Sequence, residues 1–87
     1  MMGGYSRIPV KTKNEGVISN IEFEIDTQGL DCVIRAEGTD LFVYTKSGAD
    51  QSEMYLVKDG ETFEFCGKIY YQVATSGTVY TFMYNRL

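Results

Sequence analysis

The side chains best suited to chemistry are four acidic residues close together in the sequence. Glu22, Glu24 and Asp26 occupy alternate positions, and Asp31 follows after a short polar segment. Alternate residues of a β-strand point to one side of the sheet, and carboxylate oxygens are the ligands that Ca²⁺ prefers. The segment between Asp26 and Asp31 lacks the ligand spacing of a calcium-binding loop, however. The pattern therefore favours a solvent-facing side of a strand, and we predict no metal site and no cofactor.

The second group with chemical potential is the pair of thiols, Cys32 and Cys66, in a chain that contains no histidine. A thiol nucleophile needs a neighbouring base, which is usually histidine, and zinc sites are usually built from histidines and closely spaced cysteines. The two cysteines are far apart in the sequence, so we expect free thiols, and a disulfide only if their strands are adjacent. We predict no catalytic residue and a protein that is not an enzyme.

The charge is acidic overall and unevenly distributed. The sequence contains eight Lys and Arg residues and twelve Asp and Glu residues, which gives a net charge of −4. The first sixteen residues are nevertheless basic, since they hold Arg7, Lys11 and Lys13 against Glu15. We predict that these three cations form a docking arm for an acidic neighbour. Nucleic-acid binders normally carry a basic patch, so the acidic body predicts no nucleic-acid partner.

The rest of the chain consists of short β-branched and aromatic runs separated by Gly, Asp and Ser. This spacing is typical of an all-β protein, and 87 residues suffice for one domain. We predict a single small antiparallel β-sandwich of seven or eight strands, with a jelly roll as one arrangement, over residues 17–87. Residues 1–16 are predicted to be an extended N-terminal arm with at most one short edge strand around residues 8–12.

Targeting signals are not apparent in this sequence. The first sixteen residues contain no apolar run of signal-peptide length, and no stretch approaches the roughly 20 apolar residues of a membrane span. We therefore expect a chain that is made in a cytoplasm and not secreted by a signal peptide, with no membrane partner.

Two tight turns are predicted to form hairpins. Asp59-Gly60 lies between two apolar runs, and Ser76-Gly77 lies between two aromatic ones. A two-residue turn at Ser76-Gly77 would place Tyr71 opposite Phe82 in the core. The other side of that hairpin would then carry a mixed surface.

Mixed or two-sided apolar strands predict contacts with other subunits, because a chain this short covers its core poorly. The strand at residues 41–46 is apolar on both sides, and the outer side of the last hairpin is neither charged nor fully apolar. The predicted interface comprises Phe42, Tyr44, Tyr70, Gln72, Val79, Thr81 and Met83.

Residues 56–71, LVKDGETFEFCGKIYY, are followed by Ser-Gly-Thr at 76–78. This last third of the chain resembles the ending of small all-β virion proteins of tailed bacteriophages. In that group a Gly-Glu strand end precedes an aromatic strand, a Gly-x-Ile-Tyr step and a Ser-Gly-Thr turn. The resemblance implies a capsid-decoration, head-fibre, neck or tail-accessory protein, located in the virion, that binds other virion proteins and itself as a homo-oligomer.

Two other functions stay open at this point. A carbohydrate-binding module could use exposed Tyr rings that stack on flat sugar faces, and it would need at least two coplanar rings on one face. The acidity of the body would also suit a regulatory or toxin-neutralising partner. The residue pattern and the resemblance together favour a structural and assembly role.

Overall fold

A computed structural model describes residues 10–85, which form six β-strands and one turn of 3-10 helix. The strands are β1 (Val10–Ile18), β2 (Phe23–Glu37), β3 (Leu41–Tyr44), β4 (Tyr55–Val57), β5 (Thr62–Val73) and β6 (Ser76–Tyr84), and the helix is Gln51–Glu53. All strand pairs are antiparallel, and they form one sheet in the order β1-β6-β2-β5-β3-β4. The predicted all-β antiparallel class is confirmed, with six strands in the described range instead of seven or eight.

Residues 10–16, the described part of the predicted arm, belong to the edge strand β1. It pairs with β6 from Val10 opposite Met83 to Ile18 opposite Ser76. The edge strand is therefore longer than the one predicted around residues 8–12. Residues 1–9, and with them Arg7, lie outside the described residues. Within residues 10–85, no helix has the length and apolar character needed to cross a membrane.

A large bulge in β2 bends the sheet. The pairing of β2 with β5 runs as far as Asp26 opposite Lys68 and resumes at Asp31 opposite Cys66. Five steps along β2 thus oppose two steps along β5, which leaves three extra residues in β2. An odd number of extra residues turns the following side chains to the other side of the strand.

The burial of β2 follows this change of side. The core-facing residues are Phe23 and Ile25 before the bulge, and Cys32, Ile34 and Ala36 after it. Thr27 is buried at the bend, and its Oγ1 accepts a hydrogen bond from the backbone N–H of Gly67 at 2.8 Å. Gly67 has φ of 118°, a conformation that side-chain-bearing residues rarely adopt, so glycine suits this position in β5.

The bend lets a single sheet cover both sides of its core. One half contains β1, β6, the second part of β2 and the first part of β5, and the other contains the first part of β2, the second part of β5, β3 and β4. Buried residues from both halves form one cluster: Val17, Ile34, Ala36, Leu41, Val43, Val57, Ile69, Tyr71, Val73 and Val79. This two-layer packing is compatible with the predicted small sandwich.

The prediction of a hairpin at Asp59-Gly60 is wrong, because β3 lies between β4 and β5 in the sheet. The turn instead packs on the turn after β2. Gly38 donates its backbone N–H to the Asp59 carboxylate at 3.0 Å, and the Asp59 N–H is donated to the carboxylate of Asp40 at 2.9 Å. The turn residues reverse the chain, but their hydrogen bonds join it to a more distant segment.

The predicted hairpin at Ser76-Gly77 is also wrong. β5 and β6 are consecutive in the chain, but β2 separates them in the sheet. β6 pairs with β2 from Glu37 opposite Thr78 to Asp31 opposite Tyr84. The chain therefore crosses from one half of the bent sheet to the other between these strands, and the side chains predicted to pair across the turn do not.

Candidate functional site

Four of the predicted interface residues lie together on the outer side of β3 and β5, beside Leu56 of β4. Phe42 is opposite Gln72 on one side and Leu56 on the other, and Tyr44 is opposite Tyr70. We call these five residues the β3–β5 face. Leu56 is 41% exposed and Phe42 is half-buried, so the face has an apolar centre that reaches solvent.

The Tyr44 side chain organises the polar part of this face. Its ring is stacked on that of Tyr70, with centroids 6.0 Å apart and planes at 25°. Its hydroxyl donates to Glu22 Oε1 at 2.9 Å and accepts from Gln72 Nε2 at 3.1 Å. Burial raises the pKa of Tyr44, and the Glu22 carboxylate raises it further, so the phenol remains a hydrogen-bond donor at neutral pH.

Glu22, which the sequence placed in an acidic cluster, anchors the loop after β3. Its carboxylate accepts hydrogen bonds from the backbone N–H of Gly48 at 2.9 Å, from Ser47 Oγ and from the Tyr44 hydroxyl. These donors, with the Gly48 N–H as the largest cause, lower the pKa of Glu22. The carboxylate of Glu22 therefore holds the loop after β3 through Ser47 and Gly48.

This contact predicts a pH dependence. A carboxyl whose pKa is lowered by folding stabilises the fold fully above its ordinary pKa of 4.5 and loses that contribution as the pH falls through the lower, folded value. We expect the Gly48 amide resonance to shift in one step below pH 4.5, measured by NMR titration. The variant Glu22→Gln should abolish that step, and an unchanged step in the variant would contradict the assignment.

The remaining predicted interface residues lie elsewhere. Val79 is 1% exposed and Thr81 is 7% exposed, so both belong to the core of a single chain. Met83 follows them on the same side of β6 and lies opposite the buried Cys32. The prediction that these three share an outer surface with Tyr70 and Gln72 is wrong, because it assumed that β5 and β6 pair.

A second surface, which sequence reasoning missed, lies on the outer side of β1, β6 and β2. Lys11 is opposite Phe82, and Lys13 and Arg35 are opposite Tyr80 from its two sides. We call these five residues the β6 face. Four of them, Lys11, Arg35, Tyr80 and Phe82, line a shallow depression of about 210 Å³ with Thr12, Val33, Thr62 and Thr81. Two of the three residues predicted as a docking arm thus lie within the sheet, beside aromatic rings.

The other chemically active residues form no site of their own. Both cysteines are free, with Cys32 buried and Cys66 exposed, and burial raises the pKa of the Cys32 thiol. Residues 10–85 contain no group of three or more Cys, Asp or Glu side chains placed to hold a metal ion. The stacked pair Tyr44 and Tyr70 has nearly parallel rings, but Tyr44 is only 4% exposed, so the pair does not offer two open rings to a sugar.

No protein-family model, curated protein or solved structure compared with the chain gives a match.

Proposed function

We propose that this chain is a non-enzymatic assembly protein that associates with further copies of itself, and with other proteins of a particle, through the β3–β5 face. The observation that carries the proposal is the adjacency of Phe42 and Leu56, two apolar side chains that reach solvent on neighbouring strands. A small domain gains stability when association removes such surface from water.

The composition of the face suits a protein partner. Interface centres are enriched in aromatic side chains, and their rims are polar. Here Phe42 and Leu56 lie beside Gln72 and the Tyr44–Tyr70 stack, and Glu24 lies opposite Tyr70 at the border. The hydrogen bonds of Tyr44 hold the polar side of the face in one arrangement, which reduces the entropy lost on binding.

A bacteriophage virion is the particle that we propose, as a capsid-decoration, head-fibre, neck or tail-accessory component. The support is the resemblance of residues 56–78 to such proteins, together with the small all-β fold. Neighbouring genes for capsid, portal or tail proteins would support this role. If mass spectrometry of purified particles does not detect the chain, this role is contradicted.

Self-association is tested by sedimentation velocity across micromolar concentrations. We expect the wild-type chain to form oligomers, and Leu56→Glu and Phe42→Glu to shift the population towards monomer. A charge that is buried in an interface without a partner opposes association by about 2–5 kcal/mol.

The matched control is Tyr55→Glu, because Tyr55 is the neighbour of Leu56 in β4, is 61% exposed and points to the opposite side of the sheet. This control should oligomerise like the wild type. A wild-type chain that stays monomeric, or a control that dissociates as much as Leu56→Glu, would contradict the proposal of self-association through this face.

A further inference from the structure

The β6 face combines aromatic rings and cations in a regular array. Tyr80, Phe82 and Tyr84 occupy alternate positions of β6, all half-buried, and alternate residues of a strand lie about 6.6 Å apart. The rings of Phe82 and Tyr84 have centroids 5.6 Å apart at 45°. The strand therefore presents a row of rings along the outer side of the sheet.

Strand pairing places a cation beside each of the first two rings. Lys11 Nζ lies 5.6 Å from the Phe82 centroid. Tyr80 has Lys13 Nζ at 5.9 Å and the Arg35 guanidinium carbon at 4.8 Å. The contacts come from both neighbouring strands, because β6 lies between β1 and β2.

The positive charge of this face is partly compensated and partly available. Lys13 contacts Glu15 at 3.0 Å and Arg35 contacts Glu37 at 2.9 Å, whereas Lys11 has no ion-pair partner among residues 10–85. An ammonium group has three N–H donors and a guanidinium has five, so each paired cation keeps donors for a further anion. Half of the six Lys and Arg residues in the described range lie on this one face, beside Tyr80 and Phe82. Two further carboxylates lie on the same outer side, Asp31 opposite Tyr84 and Glu64 opposite Val33, so the cations are concentrated at the first two rings of the row.

Flat rings that alternate with cations fit a ligand that carries flat rings and negative charges in turn. Bases stack on aromatic side chains, and phosphates bind Lys and Arg, in proteins that bind single strands without sequence preference. A sulfated glycan has the charges without an aromatic ring, and in a nucleic-acid duplex the bases are already stacked on each other. The face therefore matches a single strand better than either of these ligands.

We propose that the β6 face binds single-stranded nucleic acid, with bases on Tyr80 and Phe82 and phosphates on Lys11, Lys13 and Arg35. In the free chain these cations lie over the two rings, so binding turns them from the ring faces to the phosphates. This departs from the sequence-based prediction of no nucleic-acid partner, which rested on the acidic charge of the body. The proposed site is separate from the β3–β5 face, so either proposal can fail without the other.

The test is fluorescence anisotropy with a labelled oligothymidylate of about twelve nucleotides, a length within the usual site size. We expect a dissociation constant of about 10–100 μM at low salt, in the range of weak non-specific binding. Three phosphate contacts predict a slope of log K against log salt of about −2 for a single strand. A duplex of the same length should bind more weakly.

Variants separate this site from general attraction to the protein. Phe82→Leu should weaken binding at least about 5-fold by removing a stacking ring. Lys11→Gln should weaken binding and make the salt slope shallower by about 0.7. Glu15→Gln should tighten binding by about 2-fold or more, because it removes a negative charge beside Lys13.

The matched controls are Tyr55→Leu and Lys68→Gln, an exposed aromatic residue and an exposed lysine on the other half of the sheet and outside both faces. Both should bind like the wild type, with folding checked by circular dichroism. The proposal is overturned if the oligonucleotide does not bind at low salt, if the controls weaken binding as much as Phe82→Leu and Lys11→Gln, or if heparin binds and the oligonucleotide does not.

Discussion

Replacing Gly77 with alanine is expected to lower the free energy of unfolding by about 3 kcal/mol, at the upper end of the usual cost of overpacking. A Cβ atom at this position would collide with the backbone carbonyl oxygen of Glu37 and would lie 2.8 Å from Thr39 Cγ2. The carbonyl cannot move aside cheaply, because Glu37 pairs with Thr78 in the ladder between β2 and β6. The two segments would have to separate, and the pairing that joins β6 to the sheet would weaken.

Urea denaturation checks this result, and a thermal midpoint lowered by about 4–8 °C for each kcal/mol provides a second measurement. The matched control is Ser76→Ala, since Ser76 is the exposed neighbour of Gly77 in the same strand. It should change the free energy of unfolding by less than about 0.5 kcal/mol. A Gly77→Ala chain as stable as this control would mean that the close approach of β6 to the turn after β2 does not exist.

Truncation of Ile34 to alanine is the second change with a large expected effect, about 3–4 kcal/mol of lost stability. Ile34 is 0% exposed, lies in the middle of the second part of β2, and belongs to the cluster that joins the two halves of the sheet. Its truncation leaves a cavity that packed strands on both sides can fill only partly. The loss therefore includes both the burial of the removed carbons and the cavity.

The neighbouring change Val33→Ala provides the control, because Val33 is half-buried on the outer side of the same strand. We expect it to cost less than about 1.5 kcal/mol, since a smaller part of its side chain is removed from water. The comparison measures the change of side at the bulge. If core-facing residues stayed at odd positions after Ile25, Val33 would face the core, and Val33→Ala would be the more damaging change.

The two outer faces of this small sheet differ in their side-chain chemistry. The β3–β5 face has an apolar centre with a hydrogen-bonded tyrosine at its polar side, and the β6 face has rings between cations. The bend in β2 and β5 puts these faces on opposite halves of the sheet. A partner bound to one half would therefore leave the other accessible.

Much of the local structure was predictable from residue types. The alternation of Phe23 and Ile25 with acidic residues predicted a half-buried strand, and the structure confirms it. The burial of Tyr71 was likewise predicted and is confirmed, whereas Phe82, predicted to lie opposite it in the core, is half-buried on the outer side of β6. Such patterns depend only on the two-residue repeat of a strand, which each segment carries in itself.

Strand pairing was not predictable in the same way. The turns at Asp59-Gly60 and Ser76-Gly77 carry strong hairpin signals, but another strand lies between the flanking strands in both cases. A turn sequence specifies that the chain reverses, whereas the neighbour of a strand is chosen by the burial of whole sheet faces. In this fold the bulge and bend of β2 and β5 make the more distant pairings the ones that cover the core.

The sequence by itself determined the all-β class, the inward side of most strands and the acidic character of the chain, because these follow from composition and short-range alternation. Only the tertiary structure decided that Val79 and Thr81 are core residues. It also decided that Lys11 and Arg35 flank the rings of β6. The physical reason is that antiparallel pairing joins residues from the two ends and the middle of the chain, and no local pattern records which of them will meet.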